Sequence, residues 1–270
     1  MPLLLLRSLL HLPTLCSSQN PKSPSSNPPL ILRFRTSPRQ IAQYLKTLGI
    51  RASPHSPESL DWILSAVNYL KSKGFSDEHF PRLSSLCPRI FTADIDRNLA
   101  PFFAFVANDL AATPEQARDM IIRCPEILTT NVEFRLRPTL FFLRELGIKN
   151  LNLPSNLNAN LLNTPVDKLA SRIRFLECLG LSYEESTGIC ARFPTIFRYS
   201  EGNNLKPKFE YLVYEMGRSV EEVKRFPQYF GFDLKKRIAP RHSHLKQRNV
   251  QIPLNWMLPP TDKKFYARWK

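Results

Sequence analysis

Glycine is scarce in this 270-residue chain, with eight residues against 24 prolines. So few glycines leave little material for the tight turns that close β-hairpins, and the punctuation is that of short helices ended by proline. No uninterrupted apolar run reaches the roughly 18–20 residues needed to cross a bilayer, so no membrane role is expected. Cysteine pairing is missing too. The five cysteines are odd in number, none has C-x-x-C spacing and none sits near a likely His ligand, which argues against a disulfide framework and a zinc site. Cys87 and Cys124 each stand directly before a proline and read as small apolar packing groups. The phosphate-binding glycine loops, G-x-S-x-G and H-E-x-x-H are all absent. Adjacent carboxylates such as Glu184/Glu185 and Glu221/Glu222 fall at helix starts, where they complement the dipole. No catalytic residue and no cofactor is therefore expected.

What the chain does have is a spacing. Two prolines thirteen residues apart occur at Pro88/Pro101, Pro125/Pro138, Pro194/Pro207 and Pro227/Pro240. The second prolines step by 37, 69 and 33 residues, so one degenerate unit fits the long gap. A period of roughly 30–40 residues marks a helical repeat protein. Such arrays build extended surfaces rather than deep pockets and suit a long polymer better than a small substrate.

Within one unit the local chemistry is legible. Thr113, Pro114 and Gln116 provide the cap, first-turn proline and capping box that open a helix. Pro125 ends it, and the turn that follows is expected to drop Ile127 and Leu128 into the core. Asn131 caps a second helix that contains Pro138, which removes a backbone donor and predicts a kink. Gly147 ends it as a C-cap. The same grammar predicts capping boxes at Ser182/Glu185 and Ser219/Glu222. Leu-x-x-x-Gly endings recur at Gly49, Gly74, Gly147 and Gly180, and the ending at Gly217 is one residue longer. The unit near 150–180 has Ser171 in place of its second proline, with Pro165 out of phase. Phe102, Phe103, Phe141, Phe142 and Phe175 are expected to pack in the core.

Charge is unevenly placed. Residues 1–57 carry seven Lys and Arg and no acid; residues 203–270 carry 15 basic and 6 acidic side chains, within a total net charge of +15. A basic, Ser-rich, acid-free start has the composition of an organellar transit peptide. The apolar run Leu3–Leu6 and Leu9–Leu10 is interrupted by Arg7 and makes a poor secretory signal. The boundaries expected are a disordered leader over 1–55, a repeat array over 56–250 and a basic tail over 251–270, with Ile41–Gly49 as a remnant first unit. The basic C-terminal end attracts a polyanion, most often nucleic acid.

These residues resemble the mitochondrial transcription termination factor family, written mTERF. The proline pairs carry the resemblance, together with Phe142-Leu143-Arg144-Glu145-Leu146-Gly147 and Phe175-Leu176-Glu177-Cys178-Leu179-Gly180. The tail Val250–Leu258 and Thr261–Phe265 is similar to that of plant members. The resemblance implies an all-α superhelical solenoid of stacked repeats, imported into the chloroplast, or alternatively the mitochondrion. It implies a nucleic-acid-binding regulator of transcription termination, rRNA maturation or splicing, with the organellar transcription or ribosome machinery as further partners. A monomer is expected. A protein-docking scaffold is the competing class; a pentatricopeptide RNA binder is near the nucleic-acid reading in class, but its two-helix repeat of roughly 35 residues does not call for two prolines thirteen apart.

No motif names the residues that touch nucleic acid, so charge and repeat position select them. Candidates beside the second prolines, or beside Ser171 where one is missing, are Arg135, Arg137, Arg172, Arg174, Lys206, Lys208, Arg237 and Arg241. Arg192, Arg198, Lys224 and Arg225 flank the first prolines. The last helix adds Lys235, Lys236, Lys246 and Arg248, with His242 and His244 nearby; the two histidines do not share a helix face and make a poor metal pair. Each cation would neutralise a phosphate.

Overall fold

The computed structural model describes residues 37–50 and 57–270, and these belong to one unit. The leader expectation falls mostly on residues outside the described ones. Residues 37–50 are an exception. They form α1 (Pro38–Thr47), whose Ile41 and Leu45 are buried in the same core as the repeats. The remnant unit expected there is thus a packed helix.

Among the described residues every regular element is helical. After α2 (Pro57–Ser72) and α3 (Phe80–Leu86), the chain repeats one sequence of turns. A helix ends at the first proline, a 3₁₀ turn follows, then one π turn, and a second helix starts with the second proline in its first turn. The first such passage runs through turns Pro88–Thr92 and Ile95–Leu99 into α4 (Ala100–Asn108). The second links α5 (Pro114–Arg123) through Pro125–Thr129 and Val132–Leu136 to α6 (Arg137–Glu145). The degenerate unit has only α7 (Asn156–Asn163) and an uninterrupted α8 (Val166–Cys178). The pattern returns from α9 (Tyr183–Arg192) to α10 (Lys206–Glu210), and from α11 (Glu221–Arg225) to α12 (Ala239–Lys246). The tail adds α13 (Leu254–Met257) and α14 (Asp262–Arg268).

The π turns explain how prolines sit inside these helices. Leu99 N–H donates to Asp94 O at 3.3 Å, Leu136 to Asn131 at 3.1 Å, Leu205 to Ser200 at 3.0 Å and Ile238 to Asp233 at 3.0 Å. Each is an i to i−5 bond just ahead of a second proline. A proline ring clashes with the carbonyl four residues back, and widening the ladder by one residue makes room for it. Where Ser171 replaces the proline, no π turn forms. The expected kink is therefore a local widening. Asp94, Asn131, Ser200 and Asp233 cap these turns through side-chain oxygens. The extra residue before Gly217 is absorbed likewise: Tyr211–Glu215 forms another π turn, and Met216 N–H reaches Tyr211 O at 3.0 Å.

Other local expectations can be compared directly. The capping boxes at Thr113/Gln116 and Ser182/Glu185 are present. The one at Ser219/Glu222 is not, because Arg218 binds the Glu222 carboxylate at 2.6 and 2.9 Å. Ile127 and Leu128 are fully buried, as are their counterparts Ile90, Ile196, Tyr229 and Phe230. Gly147 and Gly180 take φ of +81° and +96°, the left-handed backbone a C-cap requires. Burial pushes the Cys190 thiol up to about 12, so it is a packing group and not a nucleophile at neutral pH. Phe102 is buried, but Phe141 is 64% exposed and Phe134 is 88% exposed, so the aromatics of this unit are not all core.

Candidate nucleic-acid interface

One register relative to the second proline is buried in every unit that has the proline. The residue directly after that proline points into the array. Phe102, Thr139, Lys208 and Arg241 hold this place, and all are buried. The polar ones tie one unit to the next. Thr139 Oγ1 donates to Thr164 O at 3.1 Å. Lys208 Nζ donates to Phe230 O at 2.7 Å and to Asn204 Oδ1 at 2.9 Å. Arg241 donates to Met257 O at 2.6 Å, Leu258 O at 3.1 Å, Pro260 O at 2.7 Å and Asp262 Oδ1 at 2.5 Å, and its guanidinium lies 4.5 Å from the Phe265 ring centre. In the degenerate unit Arg172 has this register and pairs with Glu201 of the next one.

Lys208 and Arg241 are therefore corrected from interface candidates to inter-repeat ties. The Lys208 Nζ and both terminal nitrogens of Arg241 bind the protein's own oxygens, and the two side chains have almost no surface to offer a phosphate. Burial also pulls the Lys208 ammonium below the usual lysine range, partly offset by Asp233. The tail expected over 251–270 is part of the same packing. Leu254, Met257, Leu258 and Phe265 are buried, and Arg241 bonds to its backbone.

Other registers face solvent. Arg135, three residues before Pro138, and Arg174, three after Ser171, are exposed, and their side chains make no ion pair or hydrogen bond among the described residues. Arg198, Arg225, Lys235 and Lys246 are likewise exposed, and among the described residues neither they nor the Lys236 ammonium has a side-chain partner. Lys206 is exposed, with Glu210 at 4.0 Å. Arg248 reaches only the His244 carbonyl, at 3.3 Å. A second group is partly engaged. Arg137 pairs with Asp109 at 2.9 Å and with Glu133. Lys224 pairs with Glu185 at 2.6 Å and with Glu221, which hold its ammonium above the usual lysine range. Arg192 donates to Lys224 O at 2.5 Å. Arg237 is half-buried, 3.8 Å from Asp262 and over the Phe232 ring.

Sequence reasoning missed two cations that the register supplies. Arg123 stands two residues before Pro125, as Arg192 and Arg225 stand before Pro194 and Pro227, and it is exposed. Lys168 lies three before Ser171, the register of Arg135, and is also exposed. His242 accepts or donates at the Tyr211 hydroxyl, 3.1 Å away, and burial with Lys246 and Arg218 nearby pulls it below 6.5 against the opposing pull of Glu215. His244 contacts Trp269 O at 2.5 Å. Among the described residues no group of His, Cys, Asp and Glu side chains could hold a metal ion, and no helix is long and apolar enough to cross a membrane.

The repeat with its paired prolines, register-dependent ties and folded tail is matched by one sequence family. The model of the mTERF family matches residues 61–160 and 114–266. The chain belongs to the mTERF family. Its all-α fold is that family's helical-repeat solenoid. Among curated mTERF proteins, it is similar to the chloroplast transcription termination factor MTERF8 of Arabidopsis thaliana, at 28% identity over 77% of this chain and 41% of that protein. Similarity to the Arabidopsis chloroplast factor MTERF2 is 35% over 37% of this chain and 16% of that protein. The Arabidopsis mitochondrial factor MTERF15 is 26% identical over 74% of this chain and 53% of its own length. The mTERF chain described here thus spans about half or less of the length of each of these relatives.

Proposed function

We propose that this mTERF protein is a non-catalytic, nucleic-acid-binding regulator of organellar gene expression, acting in transcription termination or regulation. The observation that carries the reading is a set of exposed cations with no side-chain partner among the described residues: Arg135, Arg174, Arg198, Arg225, Lys235, Lys236 and Lys246 face solvent while their buried neighbours hold the array together. Uncommitted cations on a folded scaffold neutralise phosphates, and the released counterions drive binding. The relatives' names, transcription termination factors of chloroplasts and in one case of mitochondria, support an organellar site of action, with the plastid favoured. The repeats supply the body and residues 203–270 the strongest positive field.

Charge reversal tests this. Lys235→Glu with Lys236→Glu should weaken binding to duplex DNA and lower the slope of log K against log salt by about 1.8, from about 0.9 per lost phosphate contact. An unchanged affinity and slope would remove this turn from the interface. The competing reading, a protein-docking scaffold, is favoured by one feature: Phe134 and Phe141 are exposed together in one repeat.

A further inference from the structure

The tail motif contains one large side chain that packing does not use. In Leu254-Asn255-Trp256-Met257-Leu258 the two leucines and Met257 are at most 1% exposed, whereas Trp256 is 51% exposed. Trp256 lines a cavity of about 490 Å³ with Arg225, Gln251 and Asn255, between the end of α11 and the tail. These three polar side chains are exposed and make no hydrogen bond or ion pair among the described residues. The Arg268 guanidinium lies over the Trp256 ring, 4.8 Å from its centre, and orients the indole. A second cavity of about 410 Å³ shares Arg218 and Gln251 with the first, and is lined by Tyr214, which is 78% exposed, and Lys246. Arg218 is immobilised between them. Its guanidinium donates to Glu222 and, at 2.7 Å, to Ile252 O, so the Glu222 charge that lines the first cavity is already neutralised.

We propose that these adjoining cavities are a subsite for unpaired nucleotides of a single strand, a reading that rests on the nucleic-acid function above and names the form of the ligand. Every base has a face that stacks on an indole or phenol ring, whatever its identity. The amides of Gln251 and Asn255 offer a donor and an acceptor each to a base edge. Arg225 and Lys246 supply the charge for the flanking phosphates. A base in a duplex is stacked on both faces and presents only its edge, so the cavity selects single-stranded or looped nucleic acid. Glu215 also lines the second cavity, so the base rather than a phosphate faces that wall.

The test uses the full chain with a single-stranded tetranucleotide RNA and a short duplex of matched composition, each titrated at fixed salt. Trp256→Ala should lower tetranucleotide affinity about tenfold, the range of one lost base–aromatic stack, and leave duplex affinity within about twofold. Trp256→Phe, which keeps a ring, should retain most of the tetranucleotide affinity. Gln251→Ala should weaken the tetranucleotide alone. An unchanged tetranucleotide affinity in Trp256→Ala, or an equal fall for both ligands, overturns the subsite. So does a wild-type protein that binds duplex and not the tetranucleotide, although the proposed function then stands. Binding to neither ligand removes both proposals.

Discussion

Arg241 separates a structural cation from a binding one, and Arg241→Met tests the distinction. The side chain is 1% exposed and donates to three backbone carbonyls and to Asp262, all in the segment from Met257 to Asp262. Methionine fills much of the volume but donates nothing, so those carbonyls lose their partners. Breaking such a buried pair costs about 3–5 kcal/mol. Asp262 is 63% exposed and regains water, which puts the expected loss toward the lower end of that range. For a body of this size the loss corresponds to a fall in Tm of roughly 6–20 °C. In a repeat array each unit leans only on its neighbours, so the damage should be local. Hydrogen exchange should accelerate most in α12, α13 and α14 and little in α4 to α6. Differential scanning calorimetry and exchange mass spectrometry read the two effects. A variant with unchanged Tm and exchange but weakened nucleic-acid binding would refute the assignment and return Arg241 to the interface.

Three further outcomes are expected. Arg135→Glu and Arg174→Glu, each at an exposed position, should each leave Tm within about 2 °C while weakening duplex binding, since surface substitutions of this kind change stability by less than about 0.5 kcal/mol; a loss of Tm without a loss of binding would contradict the register argument. Asp262 has its carboxyl held below 3.8 by the Arg241 hydrogen bond, so its contribution is present above pH 3.8 and is lost as pH falls through the lowered folded value; the Tm difference between wild type and Asp262→Asn should be present at neutral pH and shrink in acid, and a difference that grows in acid would be contrary. Gly147→Ala, at φ +81° with no atom within 4 Å of the new methyl, should cost about 1–2 kcal/mol from backbone strain alone, whereas Gly188→Ala, inside α9 and equally unobstructed, should stabilise by about 0.5–1 kcal/mol; equal signs for the two in thermal unfolding would refute that account.

Much of the scaffold is written in short-range chemistry, which is why it can be read without coordinates. Thr113 and Gln116, Ser182 and Glu185, Asn131, and the glycines at 147 and 180 act on residues three or four away, and the structure bears out each of them. The Ser219/Glu222 box failed because Arg218, one turn before Glu222, competed for the carboxylate. The π turns were not foreseen, because a proline inside a helix signals only that the ladder must change, not whether it bends or widens. The interface was harder. Lys208 and Arg241 look like surface cations in a basic sequence, and only the stacking of the next unit shows that their donors end on Phe230 and on the tail carbonyls. Position within the repeat was the missing discriminator: the place directly after the second proline buries Lys208 and Arg241, whereas three residues before Pro138 and Ser171 Arg135 and Lys168 are exposed.

The most direct test of the central claim is a salt titration of the full chain binding duplex DNA, single-stranded RNA and structured RNA. The account predicts affinity near physiological salt that falls linearly on a log–log plot, with a slope corresponding to several phosphate contacts. Absence of binding to all three at that salt, or a slope near zero, would contradict a nucleic-acid function and leave the solenoid as a docking scaffold for other proteins.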